Sequence, residues 1–196
     1  MKVLLASKNR HKLTELSAIL GRLGFEIMLE SDYGLDIDVE ETGTTFEENS
    51  MLKARAVMEA SGLPALADDS GLCVDALGGA PGVYSARYGG RDSDRARIDL
   101  LLENLRGVPQ QMRTAKFVCV ITCLFPDGRS IVARGECPGQ ILTAPQGESG
   151  FGYDPVFWVP ELGKTFAELA PEQKNAVSHR ARALEAFCRK MQEDTI

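Results

Sequence analysis

Asp68 and Asp69 follow one another after the apolar run Ala65 to Ala67 and stand directly ahead of Ser70 and Gly71. Neighbouring carboxylates repel unless a cation or a proton lies between them, and a strand end opening onto glycine lets a metal ion and a phosphate approach the backbone. The pattern predicts an active-site loop. An acidic turn would use the same residue types.

Four further polar clusters fall at predicted element ends. Ser7, Lys8, Asn9, Arg10, His11 and Lys12 follow a short strand and open a helix. Free N–H groups, the positive helix end and the basic side chains can gather round a phosphate there. The run lacks the GxxxxGK(S/T) spacing of a Walker loop, and a solvated basic helix start has the same composition. Glu40 and Glu41 form a second carboxylate pair, and Lys53 lies on the helix that follows. Glu40 and Asp69, completed by water and phosphate oxygens, would make the hard oxygen set that Mg²⁺ prefers. The other reading is an acidic surface and a lysine whose stem lies along apolar neighbours. Between Gly147 and Pro155, glycines beside Phe151, Gly152, Tyr153 and Asp154 can bring backbone close to a flat ring on which Phe151 or Tyr153 stacks; a turn buried by its aromatics fits equally. Lys174 precedes His179 and Arg180, which can donate to carbonyl oxygens of a base or to phosphates, or serve as an ordinary helix-start surface.

These clusters need elements to hold them. Lys2 to Ala6 is fit for a buried strand, and Leu13, Leu16, Ile19, Leu20 and Leu23 recur at helical spacing, ended by Gly21 and Gly24. Phe25 to Leu29 predicts the next strand, and Glu30 to Gly43 a polar loop or edge element. Thr44 and Thr45, with Glu47 and Glu48 three residues on, predict a capped helix of about four turns ending near Gly62 and Pro64. Asp92 or Ser93 caps another helix, closed by Gly107 and Pro109. Ala115 to Phe125 and Ser130 to Gly135 flank Pro126-Asp127-Gly128 as a hairpin, and Ala176 to Met191 returns to helical spacing. Alternating helices and strands with a late hairpin predict an α/β fold with a mixed sheet.

The chain has 196 residues, 44% of them hydrophobic, which suits one domain or two intimate lobes. A formal net charge of -6 argues against general binding to nucleic acid or an anionic membrane, so an anionic ligand must be met by a local basic cluster. Val3 to Ala6 is too short for a signal-peptide core, so a cytoplasmic location is expected. Five scattered cysteines without a CxxC pair are expected to be reduced thiols.

In this order, FEENSMLKA from Phe46, ADDSGL from Ala67, LGGAPGVYSARY from Leu77, GFGYDP from Gly150, GKTFAEL from Gly163 and SHRARAL from Ser178 resemble the inosine triphosphate pyrophosphatase, or Ham1-like, family. The likeness spans nearly the whole chain. Ser7, Asn9 and Lys12 match the family's amino-terminal turn, while many members carry glycine at the positions of Lys8 and His11. The resemblance implies an α/β fold over residues 1–196, a long curved mixed sheet with flanking helices forming two lobes around a central cleft, and a homodimer. It implies that Ser7 to Lys12 and Lys53 hold a triphosphate. Asp69 would be general base and metal-site residue, Glu40 or Glu41 would complete a Mg²⁺ site, and Ser70 would touch substrate. Phe151, Gly152, Tyr153, Asp154, Lys174, His179 and Arg180 would form the purine pocket.

The activity implied is hydrolysis of ITP, dITP and XTP to the monophosphate and pyrophosphate. A pyrophosphatase for other modified nucleotides and a non-catalytic nucleotide-binding protein are the alternatives. On this view Asp68 should raise the proton affinity of Asp69 or the reverse. Backbone N–H groups of Phe151 to Asp154, with His179 or Arg180, would donate to the 6-oxo group that distinguishes hypoxanthine and xanthine from adenine.

Overall fold

A computed structural model describes residues 1–193, the side chains of His11, Glu15 and Leu23 excepted. Strand β1 (Lys2–Leu5) places Val3, Leu4 and Leu5 out of solvent, and helix α1 (Arg10–Leu20) returns the chain to β2 (Glu26–Leu29), parallel to β1. Helix α2 (Phe46–Ser61) starts at the expected capping box: Thr45 accepts the Glu48 N–H at 3.1 Å while the Glu48 carboxylate accepts the Thr45 N–H at 3.2 Å. It leads into β3 (Ala65–Val74), parallel to β1 on the side away from β2. Helix α3 (Asp94–Asn104), capped by Ser93, precedes the hairpin of β4 (Thr114–Leu124) and β5 (Ser130–Ile141). Strands β6 (Phe157–Val159) and β7 (Lys164–Thr165) and helices α4 (Pro171–Val177) and α5 (His179–Glu193) complete the chain. The seven strands lie in the order β2-β1-β3-β4-β5-β6-β7, with β5, β6 and β7 antiparallel, so the sheet is mixed as the pattern predicts.

Three elements differ from the sequence reading. Asp68, Asp69 and Ser70 are neither loop nor turn but the middle of β3, because Leu72 and Val74 beyond them are also fully buried and carry the strand onward. Strand β5 continues past Gly135 to Ile141, where Cys137 and Ile141 extend its buried face. The carboxy-terminal helix is two helices. Ser178 stops α4, takes extended backbone, and its hydroxyl accepts the Ala181 N–H at 3.2 Å, so capping overrides the apolar periodicity.

The chain divides into two compact units. The first comprises Met1–Asp69, Cys119–Gly135 and the segment from Arg182 onward; the second comprises Ser70–Val118 and Glu136–Ala181. Each has its own core. In the first, Leu16 and Leu20 of α1 pack with Val3, Leu5 and Leu66, whereas Val57 of α2 packs with Leu4 and Ala65. Residues of opposite parity on one strand point to opposite faces, so α1 and α2 cover opposite faces of these strands. The second core gathers Leu72, Leu101, Phe117, Phe157 and Phe166. All five cysteines are thiols outside any disulfide, and no helix among the described residues is long and apolar enough to cross a membrane.

Burial pushes the Cys123 thiol on β4 up from the ordinary 9.0 to about 12. The unfolded chain therefore loses this proton first, and the stability due to the buried neutral thiol, whole below pH 9.0, falls as pH rises toward 12. One such proton tilts the unfolding free energy by about 1.4 kcal/mol per pH unit. Cys123→Ala is expected to flatten that decline by about one proton when urea unfolding is followed from neutral to alkaline pH; parallel slopes for parent and variant would refute it.

Candidate active site

Strand β1 stands between β2 and β3, and the helices leading to those neighbours cover opposite faces. The order reverses there, and in open parallel α/β sheets the crevice beyond the carboxyl ends of such strands receives ligands. The segment Ser7 to Arg10 emerges at that point. Pairing of β1 with β3 ends at Leu5 and Leu66, extended by the Ala6 N–H to the Leu66 carbonyl at 2.8 Å. Asp68 and Asp69 follow within three residues.

Alternation along β3 decides what each aspartate meets. Leu66 and Asp68 share the face covered by α1, and Lys12 of that helix reaches Asp68 Oδ1 with its Nζ at 2.7 Å. Ala65, Ala67 and Asp69 share the face covered by α2, and Lys53 Nζ reaches Asp69 Oδ1 at 3.0 Å. Lys53 also binds Glu41 Oε1 at 2.8 Å, with its side chain only 17% exposed. The two aspartates thus have separate cations rather than a shared one. Burial, more than any neighbouring charge, raises the Asp69 pKa, with Lys53 pulling it down in part; the expected coupling to Asp68 is not its cause. Burial works against the Lys53 ammonium, but Asp69 and Glu41 outweigh it and hold its pKa above the usual lysine value.

Of the two glutamates offered by the sequence, the structure brings Glu41 to Lys53 and leaves Glu40 exposed. Buried Asp69 Oδ2 and Ser70 Oγ lack a hydrogen-bond partner among the described residues. The amino-terminal segment is ordered by its own polar groups: Ser7 Oγ accepts the Asn9 N–H at 3.1 Å, and Asn9 Oδ1 accepts the Lys12 N–H at 3.4 Å. Lys8 and Arg10 point to solvent and pair with Asp36 at 2.6 Å and Asp32 at 3.0 Å. The His11 side chain lies outside the described residues.

In the second unit, Asp154 is buried and organises the glycine-rich segment. Its Oδ2 accepts the Phe151 N–H at 2.9 Å and the Lys174 ammonium at 2.5 Å. Gly150, at φ +82°, passes so close that a Cβ would strike that oxygen. The Gly152 N–H donates to Asp94 Oδ2 at 2.7 Å and holds the Asp94 pKa down; Arg97 grips the other oxygen. The Asp154 N–H returns to the Phe151 carbonyl at 3.2 Å. Three of the backbone donors expected for a purine base are therefore engaged within the unit. Tyr153 is buried, its hydroxyl donating to the Ser85 carbonyl at 2.9 Å, so Phe151, 66% exposed, is the aromatic with an open face. Lys174 Nζ lies 4.7 Å from the Phe151 ring centroid, and half-buried His179 stacks on Phe117 at 4.9 Å; Arg180 is half-buried.

Asp94 and Asn49 escaped the sequence reading. Asp94 reads as an ordinary first-turn acid, and its partner is 58 residues away. Asn49 had a usable signal, a polar residue on the helical stripe of Phe46, Ser50, Ala54 and Val57, which are all buried.

The chain belongs to the Ham1 family, whose sequence profile matches residues 3–190. A dITP/XTP pyrophosphatase of Thermus thermophilus is 54% identical over 187 residues, 95% of this chain and 90% of its own length. Another dITP/XTP pyrophosphatase, from Escherichia coli, is 50% identical over 93% of this chain and 94% of its own. The structure of the Staphylococcus aureus Ham1 protein matches with a TM-score of 0.92 at 42% identity, over 99% of this chain and 100% of that one.

The Asp154–Lys174 pair is buried, with side chains 4% and 18% exposed. Removing one partner strands a charge away from water. Lys174→Met should lower the unfolding free energy by about 3 kcal/mol, whereas Arg106→Ala, which breaks the exposed pair with Glu103, should change it by less than about 0.5 kcal/mol. Equal effects in urea unfolding would contradict the assignment.

Proposed function

We propose that this chain hydrolyses dITP, XTP and ITP to the nucleoside monophosphate and pyrophosphate. One observation carries the reading: Lys53 clamps Asp69 Oδ1 and Glu41 while buried Asp69 Oδ2 has no hydrogen-bond partner among the described residues, in a chain about half identical to dITP/XTP pyrophosphatases. A carboxylate held by one oxygen and open at the other can take a proton from water.

In this reading Asp69 Oδ2 accepts the proton of the water that attacks the α-phosphorus. Lys12 and Lys53 exchange their carboxylate partners for phosphate oxygens and neutralise the departing pyrophosphate. Ser7, Asn9 and Ser70 contact the phosphates through hydroxyl, amide or backbone, and Lys8 and Arg10 line the approach. The donor set fits Mg²⁺: Lys53 brings the carboxylates of Glu41 and Asp69 together, these are hard oxygen donors, and with phosphate and water oxygens they would hold the ion. When bound, Mg²⁺ supplies charge neutralisation at the phosphates.

For the base, Phe151 offers its exposed face for stacking, with Gly152, Tyr153 and Asp154 shaping the segment behind it and Lys174 fixing Asp154. Because the Phe151, Gly152 and Asp154 N–H groups are engaged, donation to the 6-oxo group falls to the Tyr153 N–H or, as proposed here, to His179 and Arg180. The proposed working form is a cytoplasmic homodimer that takes a nucleotide and binds neither nucleic acid nor membrane, in keeping with a net charge of -6.

Pyrophosphate release across dITP, XTP, ITP, dATP, dGTP and dUTP, with and without Mg²⁺, tests the reaction directly. Release is expected from the first three and to require the metal. Asp69→Asn should lower kcat by about 100-fold or more. Turnover favouring dUTP or dGTP would point to another modified nucleotide, and binding without release to a non-catalytic protein.

Specificity makes a separate demand. His179→Ala and Arg180→Ala should each reduce the preference of kcat/KM for dITP over dATP by about 10-fold, since a lost donor is worth about 1 to 3 kcal/mol. Unchanged preference in both would move base recognition elsewhere.

A further inference from the structure

Asn49 lies in the first turn of α2 and is fully buried. Its Oδ1 accepts the Gly43 N–H at 2.8 Å. The loop backbone comes so near that a Cβ on Gly43 would stand 2.6 Å from that oxygen. With Oδ1 committed, the orientation of the carboxamide is fixed, and Nδ2 must face the other way. That nitrogen is buried without a hydrogen-bond partner among the described residues, as is Asp69 Oδ2. The two side chains are neighbours: Asn49 precedes Lys53 by one turn of α2, Lys53 holds Asp69 Oδ1 at 3.0 Å, and the Asn49 amide pulls the Asp69 pKa down against the upward push of burial. An unmet buried donor or acceptor is costly, and a fold retains one where a ligand satisfies it.

One water molecule satisfies both atoms, since it accepts from an amide N–H and donates to a carboxylate oxygen at once. In the resting site Lys53 holds Asp69 Oδ1, which leaves Oδ2 as the oxygen that meets the water.

We infer that Asn49 orients the attacking water, its Nδ2 donating to the water oxygen while one O–H of that water donates to Asp69 Oδ2. This rests on the proposed pyrophosphatase reading. With one lone pair and one proton tied, the other lone pair is aimed at the α-phosphorus. The water oxygen bonds to that phosphorus and its proton passes to Asp69. The bond to the α–β bridging oxygen breaks, and its electron pair leaves with pyrophosphate. Orientation of this kind acts on the chemical step rather than on nucleotide affinity.

Two variants separate this role from simple anchoring of the loop. Asn49→Asp keeps an acceptor for the Gly43 N–H and loses the donor; Asn49→Leu loses both without adding charge. Steady-state dITP hydrolysis is expected to show kcat lower by about 30-fold in each, with KM within about threefold of the parent. In an Asp69→Asn background, Asn49→Asp should add little further loss, because both changes disable one water. Unfolding midpoints confirm that the variants are folded, and if one is not, the other decides. Parent-like kcat in Asn49→Asp, a loss confined to KM, or a fully multiplicative loss in the double variant overturns the inference. Inactivity of the parent protein itself would instead sink the pyrophosphatase reading, and this inference with it.

Discussion

A strand sends successive side chains to opposite faces, and that constraint sorts the charges of the candidate site. Asp68 and Asp69 occupy consecutive positions on β3, so one meets Lys12 of α1 and the other meets Lys53 of α2. Neither lysine arrives by accident of a surface. Leu16 and Leu20 pack α1 against Val3, Leu5 and Leu66, and Ala54 and Val57 pack α2 against Ala67, Leu4 and Ala65. The apolar parity of the strands fixes where the helices sit, and the helices fix where the ammonium groups sit. A shift of β3 by one residue would exchange the faces of both aspartates and strand each away from its cation.

The second unit solves a different problem, holding glycine-rich backbone in one shape without a regular ladder. It does so with carboxylates: Asp154 takes the Phe151 N–H and the Lys174 ammonium, and Asp94 takes the Gly152 N–H with Arg97 behind it. Charge-assisted bonds of this kind are stronger than neutral ones, and they suit a segment too rich in glycine to order itself. The same wiring consumes donors that a free loop would offer to a base. What the segment presents outward is then the Phe151 ring.

Much of this was legible in the residues themselves. The capping box at Thr45 and Glu48 and the hairpin at Pro126 to Gly128 are local signals, and each element formed where its signal lay, whereas the last helical stripe was cut by the cap at Ser178. Three features were not local. Asp68 and Asp69 read as a loop because their own chemistry is that of a loop; buried Leu72 and Val74 beyond them, with a lysine for each carboxylate, made them strand. The choice of Glu41 over Glu40 depended on which carboxylate the loop turns toward Lys53, and no spacing encodes that. Tyr153 and Phe151 are equivalent as sequence, yet Ser85, far away along the chain, supplies the carbonyl that draws one of them inward.

The charges also explain why a bare polyanion would be poorly received. Around β3, Lys12 and Lys53 face Asp68, Asp69 and Glu41, two formal positive charges against three negative, and both ammonium groups are already paired. A triphosphate drawing those lysines away would leave three carboxylates partly or wholly uncovered in positions only 4% to 26% exposed. Uncompensated charge away from water is costly enough that such a complex would form only if another cation arrived with the nucleotide. On the proposed reading a divalent ion carried on the phosphates would meet that need, with the carboxylates of Asp69 and Glu41 there to receive its charge as the lysines turn to phosphate. On that reading the lysine–carboxylate pairs are a resting arrangement that holds the aspartates in place and would yield only to a ligand bringing its own positive charge.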